Sequence, residues 1–113
     1  MTAKNTLTSA PPYAVESAIK RLGQNLRTAR LRRNLTIKQV SEKIGTGPRA
    51  VTDAEKGKVT TSIAVYTALL WTYDLLGPWG MLADPAQDSE GIALSERRER
   101  ARRTSSRGLD DDF

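Results

Sequence analysis

Residues 35–58 read LTIKQVSEKIGTGPRAVTDAEKGK, and this stretch decides the fold. Thr36 is followed three residues later by Gln39. At that spacing a hydroxyl and an amide side chain satisfy each other's backbone N–H groups at a helix start. Ile37, Val40 and Ile44 form one apolar stripe at helical spacing. Gly45 ends that helix, and Gly45-Thr46-Gly47 crosses a tight turn. Pro48 suits the first position of a new helix, where the N–H it lacks would have no partner. The second helix covers about residues 48–56, buries Val51 and stops at Gly57.

Working outward, Val15, Ile19, Leu22, Leu26 and Ala29 recur at alternating spacings of four and three. They predict an amphipathic helix from Tyr13 to about Arg33, stopped at Asn34. Gly23 lies inside it at a cost in helix propensity. Downstream, SIAVYTALLWTYDLL (62–76) reads as a helix with two apolar stripes. Ile63, Tyr66, Leu69, Leu70, Tyr73 and Leu76 form one, and Val65, Ala68, Trp71 and Leu75 the other. A small core needs only one, so the second is a candidate interface. Gly77–Pro78 breaks this helix, and WGMLA predicts a short fifth helix. DPAQDSEG reads as a loop. SERRERARR is either a basic helix or a segment that orders on binding. Strand-like alternation and internal repeats are absent from the sequence.

The expected fold is therefore all-α, a compact five-helix domain over residues 15–84. A disordered Thr/Ser/Pro-rich arm is expected over 1–14, and an Arg-rich, largely flexible tail over 85–113.

Composition narrows the chemistry. The 113 residues include no cysteine and no histidine. That removes disulfides, thiolate metal sites, thiol nucleophiles and the commonest general base. The sequence offers no nucleophile–base pair, metal cluster or Gly-rich phosphate loop, so neither an enzyme nor a cofactor is expected. No apolar run approaches the ~20 residues that span a bilayer, and the N-terminus lacks a signal-peptide core. The expectation is a cytoplasmic protein. The net charge of +5 is unevenly spread. Residues 1–34 carry +6, 60–96 carry −5 with no Lys or Arg, and 97–109 carry +5. A polyanion would meet the first half and the arginine tail.

Two short helices joined by a tight turn make a helix-turn-helix arrangement. Its second helix can enter a DNA major groove, while the first lies across the backbone. Arg49, Thr52 and Asp53 then become the base-contacting candidates. Arg49 could bind guanine bidentately. Asp53 could accept from a cytosine amino group, or pair with Arg49 four residues away. Thr36, Lys38, Thr46, Lys56 and Lys58 are the phosphate-contacting candidates, with solvated charge as the plainer alternative for the lysines and helix capping for Thr36. Glu55 is expected to pair internally, with Arg27 or Arg30. Val65, Trp71, Leu75 and Trp79 are candidates for a dimer or partner surface. Burial in the core is the competing expectation for the aromatics Trp71, Tyr73 and Trp79.

The stretch 35–58 resembles the helix-turn-helix of the Cro and lambda-repressor family. Leu35, Thr36, Val40, Ser41, Ile44, Gly45, Val51, Glu55 and Gly57 stand at matching places. The resemblance implies a lambda-repressor-like fold that binds DNA. Three departures follow from it: Ile37 stands where the family often has Gln, Gly47-Pro48 replaces polar residues opening the recognition helix, and Asp53 replaces a late cation. The stretch WGMLADPAQDSEGIALSERRERARR also resembles the C-terminal extension of the B components of HipA-type toxin–antitoxin modules, through Leu82–Pro85, Asp88, Gly91, Leu94 and the arginine run. That implies a dimeric repressor of its own operon, bound to a palindromic operator on the bacterial nucleoid and contacting a HipA-type kinase toxin or an associated protein. The alternative is a protein-interaction module that uses the helix-turn-helix only as a scaffold.

Overall fold

A computed structural model of the protein describes residues 5–111, with side chains through Ser106. Residues 1–4 of the expected arm and 112–113 of the acidic terminus lie outside the described residues. The chain divides into two units at Gly77–Pro78.

In the first unit, helix ends follow side-chain chemistry. The carboxamide of Asn5 accepts the N–H groups of Leu7 and Thr8 and starts a single helical turn, α1 (Thr6–Ser9). This turn lies within the residues read as an N-terminal arm. After Pro11-Pro12, α2 runs over Tyr13–Arg32. Thr36 and Gln39 form the expected reciprocal cap of α3 (Ile37–Ile44). Gly45 adopts the left-handed conformation (φ 80°) that turns the chain toward α4 (Pro48–Glu55). Ser62 caps α5 (Ile63–Thr72).

α5 ends at Thr72, short of the expected residue 76. Asp74 takes a left-handed φ of 59°, and the Leu75 N–H folds back onto the Leu70 carbonyl at 2.8 Å. That backward hydrogen bond satisfies an orphan carbonyl and closes the helix. α2 ends in the same way, with Asn34 left-handed and the Leu35 N–H on Arg30.

The core gathers Leu26 and Ala29 of α2, Val40 of α3, Val51 and Ala54 of α4, and Tyr66, Leu69, Leu70 and Tyr73 from α5 and its end. Ile19, Leu22, Ile37, Ile44 and Leu76 of the expected stripes are half-buried at its edge, and two positions are exposed. Ile63 is 70% exposed at the start of α5, and Val15 is exposed because only the C-terminal half of α2 is fully packed.

The Tyr73 hydroxyl is buried without a hydrogen-bond partner among the described residues. Burial pushes the phenol up to about 12. The Glu55 charge adds to this, and Arg30 and Arg33 oppose it. The unfolded chain releases that proton near the ordinary value of 10.0. Between these values the folded state holds more protons than the unfolded one, so stability falls as pH rises. Tyr73→Phe removes an unsatisfied buried hydroxyl, and is expected to leave stability unchanged or raise it by up to about 1 kcal/mol. Urea titrations at neutral pH and near pH 11 check both points. The native chain should lose more stability than Tyr73→Phe between the two conditions, and an equal loss would contradict the assignment.

A 3-10 segment, Gly77–Met81, spans the boundary, and the second unit continues with another, Pro85–Gln87, and α6 (Ser89–Asp111). The fifth α-helix expected at 79–83 is thus replaced by a 3-10 segment that begins earlier. The residues read as a loop form turns and those of SERRERARR take the basic-helix alternative, and two aspartates supply caps. Asp84 accepts the Ala86 N–H at 3.0 Å, and Asp88 accepts the Gly91 N–H at 3.0 Å. A Cβ on residue 91 would meet the Asp88 carboxylate, so Gly91 leaves room for this cap. No helix among the described residues is long and apolar enough to cross a membrane.

Candidate nucleic-acid interface

The sequence of α4 sorts its residues onto two faces. Val51 and Ala54 are fully buried. Arg49, Thr52, Asp53 and Lys56 follow spacings of three, four and seven, which places them on one opposite face. Arg49 and Lys56 are exposed, and Thr52 and Asp53 are half-buried. At the start of α4, Gly47 offers no side-chain cap and Pro48 occupies the first turn. The positive end of the helix dipole is therefore left open to an anion.

The side chains on this face differ in what they are free to do. Arg49 makes no ion pair among the described residues. The Thr52 hydroxyl donates to the Pro48 carbonyl at 3.1 Å. Its oxygen can still accept, but its proton is engaged. Asp53 pairs with Lys58 at 3.1 Å, not with Arg49 as the helical spacing suggested. The reason is the turn after α4: the Lys58 N–H bonds to the Asp53 carbonyl at 3.1 Å, which brings the lysine back over the carboxylate. Of the candidate phosphate contacts, Lys38 and Lys56 are exposed without ion pairs among the described residues, whereas Lys58 is engaged by Asp53. Thr36 is exposed, and its oxygen accepts the Gln39 N–H at 3.0 Å. Thr46 is half-buried in the turn, where its N–H bonds to the Ser41 carbonyl at 3.0 Å.

α4 is held by an ion pair at its C-terminal end. Glu55 receives two hydrogen bonds from Arg30, at 2.7 and 3.1 Å, and Arg30 also donates to the Leu35 carbonyl at 2.9 Å. The Glu55 hydrogen bonds and charge raise the Arg30 pKa further, against the opposing effect of burial. Of the two candidate arginines for Glu55, Arg30 is the partner and Arg27 is exposed. Beside this pair α2 and α4 approach at backbone distance. A Cβ on Gly23 would stand 2.5 Å from the Ala54 carbonyl oxygen and 2.8 Å from that of Glu55. The propensity cost of Gly23 is thus offset by the close approach it allows.

On α5, Trp71 is 58% exposed, with the Lys43 ammonium 5.7 Å from its ring centroid. Leu75 is exposed and Val65 half-buried. Core burial, the competing expectation for the aromatics, holds for Tyr73 and not for Trp71. Tyr73 turns into the core with Arg33 over its ring at 5.4 Å, Trp71 turns outward, and Trp79 belongs to the second unit. Two contacts were missed by sequence reading: Lys43 on Trp71, and the Arg33 guanidinium on the Tyr73 carbonyl at 3.0 Å. Both join residues distant in sequence, and no local spacing signals them.

Arg49→Ala removes one of the two exposed cations of this face while leaving the α4 core untouched. It is expected to cost about 1–3 kcal/mol in discrimination between DNA sequences, with thermal stability unchanged. Competition binding and a melting curve on the same preparation check both.

Among curated proteins and among solved structures no match was found. A family model described as "Helix-turn-helix domain" matches residues 21–78, which are 58 of the chain's 113 residues. The match runs from within α2 past the end of α5 and contains the whole α3–turn–α4 face. The all-helical core and the open-ended α4 agree with it, and the chain belongs to the helix-turn-helix domain family.

Proposed function

We propose that this chain is a sequence-specific, DNA-binding transcriptional repressor. The observation that carries the reading is the outward face of α4, with an uncapped positive end and an exposed Arg49. Arg49 reads guanine in the major groove. Thr36, Lys38, Thr46 and Lys56 hold phosphates on either side. Asp53 holds Lys58 over the end of α4 and limits which base can stand beside it. The protein acts in the bacterial cytoplasm, on the nucleoid.

The finer reading is an autorepressor of a HipA-type toxin–antitoxin operon that contacts the kinase toxin or its partner. It rests on the resemblance of residues 79–103 to the extension of such proteins. A homodimer on a palindromic operator would place two copies of α4 about 34 Å apart. The uncharged exposed face of α5, with Ile63 and Trp71, supports such a pairing through Val65, Trp71 and Leu75, with Trp79 as a further candidate. The same face favours the second reading, a protein-interaction module.

Fluorescence anisotropy with the duplex upstream of the gene, against a scrambled duplex at two salt concentrations, tests the repressor reading. Tighter, salt-sensitive binding to the upstream duplex is expected. Equal weak binding to both would favour the interaction module. Trp71→Glu tests the dimer. Because Trp71 is exposed, the fold should survive and sedimentation should show monomers that bind the operator at least tenfold more weakly. A native-like dimer would remove α5 from the interface.

A further inference from the structure

We infer that α6 is a second DNA-binding element, whose arginine face holds the phosphate backbone of a duplex without reading its sequence. The inference rests on the DNA-binding reading of α4 but not on the residues that carry it.

From Ser95 to Ser106 every side chain of α6 is exposed. A helix polar on all sides is not held by a packed face, so the order of its charges is what remains to be explained. At about 100° per residue, with Arg97 set at zero, Arg98, Arg102 and Arg100 stand at about 100°, 140° and 300°. They span an arc of about 200° that contains no acidic residue between positions 96 and 106. Glu96, Glu99 and Arg103 share the remaining face, and Arg103 is partly neutralised by Glu99 at 3.9 Å. No ion pair among the described residues engages Arg97, Arg98, Arg100 or Arg102.

The centre of the arc is small. Ala101 and Ser105 lie at about 40° and 80°, with arginines on both flanks. This is the profile needed by a helix lying in a groove about 12 Å wide, walled by phosphates on both sides. The small centre permits approach, and the long flanks reach the two backbones. A protein-docking face would instead carry large apolar anchors. Between Arg97 and Ser106 the arc has none. Arginine contacts to phosphate release counterions whatever the base sequence, so the contribution is sequence-independent and strongly salt-dependent.

The test is the full-length chain with Arg97, Arg98, Arg100 and Arg102 all changed to Gln, a residue of similar helix propensity. Binding to the upstream and scrambled duplexes is measured between about 50 and 200 mM salt. The slope of log K against log salt should shrink by about 3–4, at roughly 0.9 per lost phosphate contact. Both duplexes should lose affinity by the same factor, so that the preference between them stays constant. An unchanged slope would overturn the inference, as would a loss confined to the upstream duplex. Unchanged DNA binding with loss of an acidic partner protein would assign the face to that protein and also overturn it. Arg49→Ala, measured alongside, separates the two claims. A flattened slope in the fourfold variant with no loss of preference in Arg49→Ala keeps this inference and removes only the assignment of base reading to Arg49. The converse pair of results does the reverse.

Discussion

Glu55→Ala is expected to destabilise the domain by about 3–5 kcal/mol, the cost of leaving a buried charge without its partner. The Arg30 and Glu55 side chains are only 11% and 7% exposed, so water cannot replace the lost carboxylate. After the substitution Arg30 keeps the Leu35 carbonyl as its remaining hydrogen-bond partner. A small domain has roughly 5–15 kcal/mol in total, so this loss lowers the melting temperature by more than about 10 °C. The damage also reaches the DNA face, because Glu55 ties the end of α4 to α2. Replacing both members, Arg30→Met with Glu55→Leu, should recover most of the loss, since an apolar pair carries no desolvation penalty. Chemical denaturation of the three variants checks this. A loss below about 1 kcal/mol in Glu55→Ala would show that the pair is solvated and does not anchor α4.

Gly57→Ala is the second large effect, and two independent penalties act on it. Residue 57 has a φ of 69°, where an L side chain costs about 1–2 kcal/mol. A Cβ there would also collide with the backbone of Lys20 in α2, including its Cα. Backbone atoms cannot rotate away, so the helices must separate, at a further cost of about 1–3 kcal/mol. The variant should therefore be at least about 2 kcal/mol less stable and bind operator poorly even when folded, because α4 is displaced. Gly23→Ala at the same crossing has no positive φ, and regains about 1 kcal/mol of helix propensity. It should be the milder of the two. Equal melting temperatures for Gly57→Ala and the native chain would mean that α2 and α4 do not meet there.

The contrast between these sites shows what a sequence can display. Local signals were legible: the Thr36–Gln39 cap, Pro48 opening α4 and Val51 beneath it all appear in the structure. Each depends on residues within a turn of one another. The end of α5 was not legible, because Asp74 closes it from a left-handed conformation that glycine or asparagine more commonly adopts. The turns of the second unit were hidden for a related reason, and its helix was legible only as one of two alternatives. Asp84 caps a three-residue turn and Asp88 caps α6, and neither segment carries a sustained apolar stripe. At the candidate site, the residues of the α4 face could be selected by spacing, but their pairings could not. Asp53 had Arg49 at helical distance, yet the turn at Gly57 delivered Lys58 to it. The role of Gly23 depends on a crossing with a helix thirty residues away, and so reads in sequence only as a cost.

The central claim is that α4 reads base sequence through Arg49. Its most direct test is a competition series in which the upstream duplex carries one base-pair substitution at a time, bound by the native chain and by Arg49→Ala. The account predicts that the native chain discriminates at several positions of each half-site, and that Arg49→Ala loses discrimination at one G·C pair per half-site while keeping the others. A series in which the native chain binds every duplex alike, or in which Arg49→Ala leaves the whole profile unchanged, would contradict it.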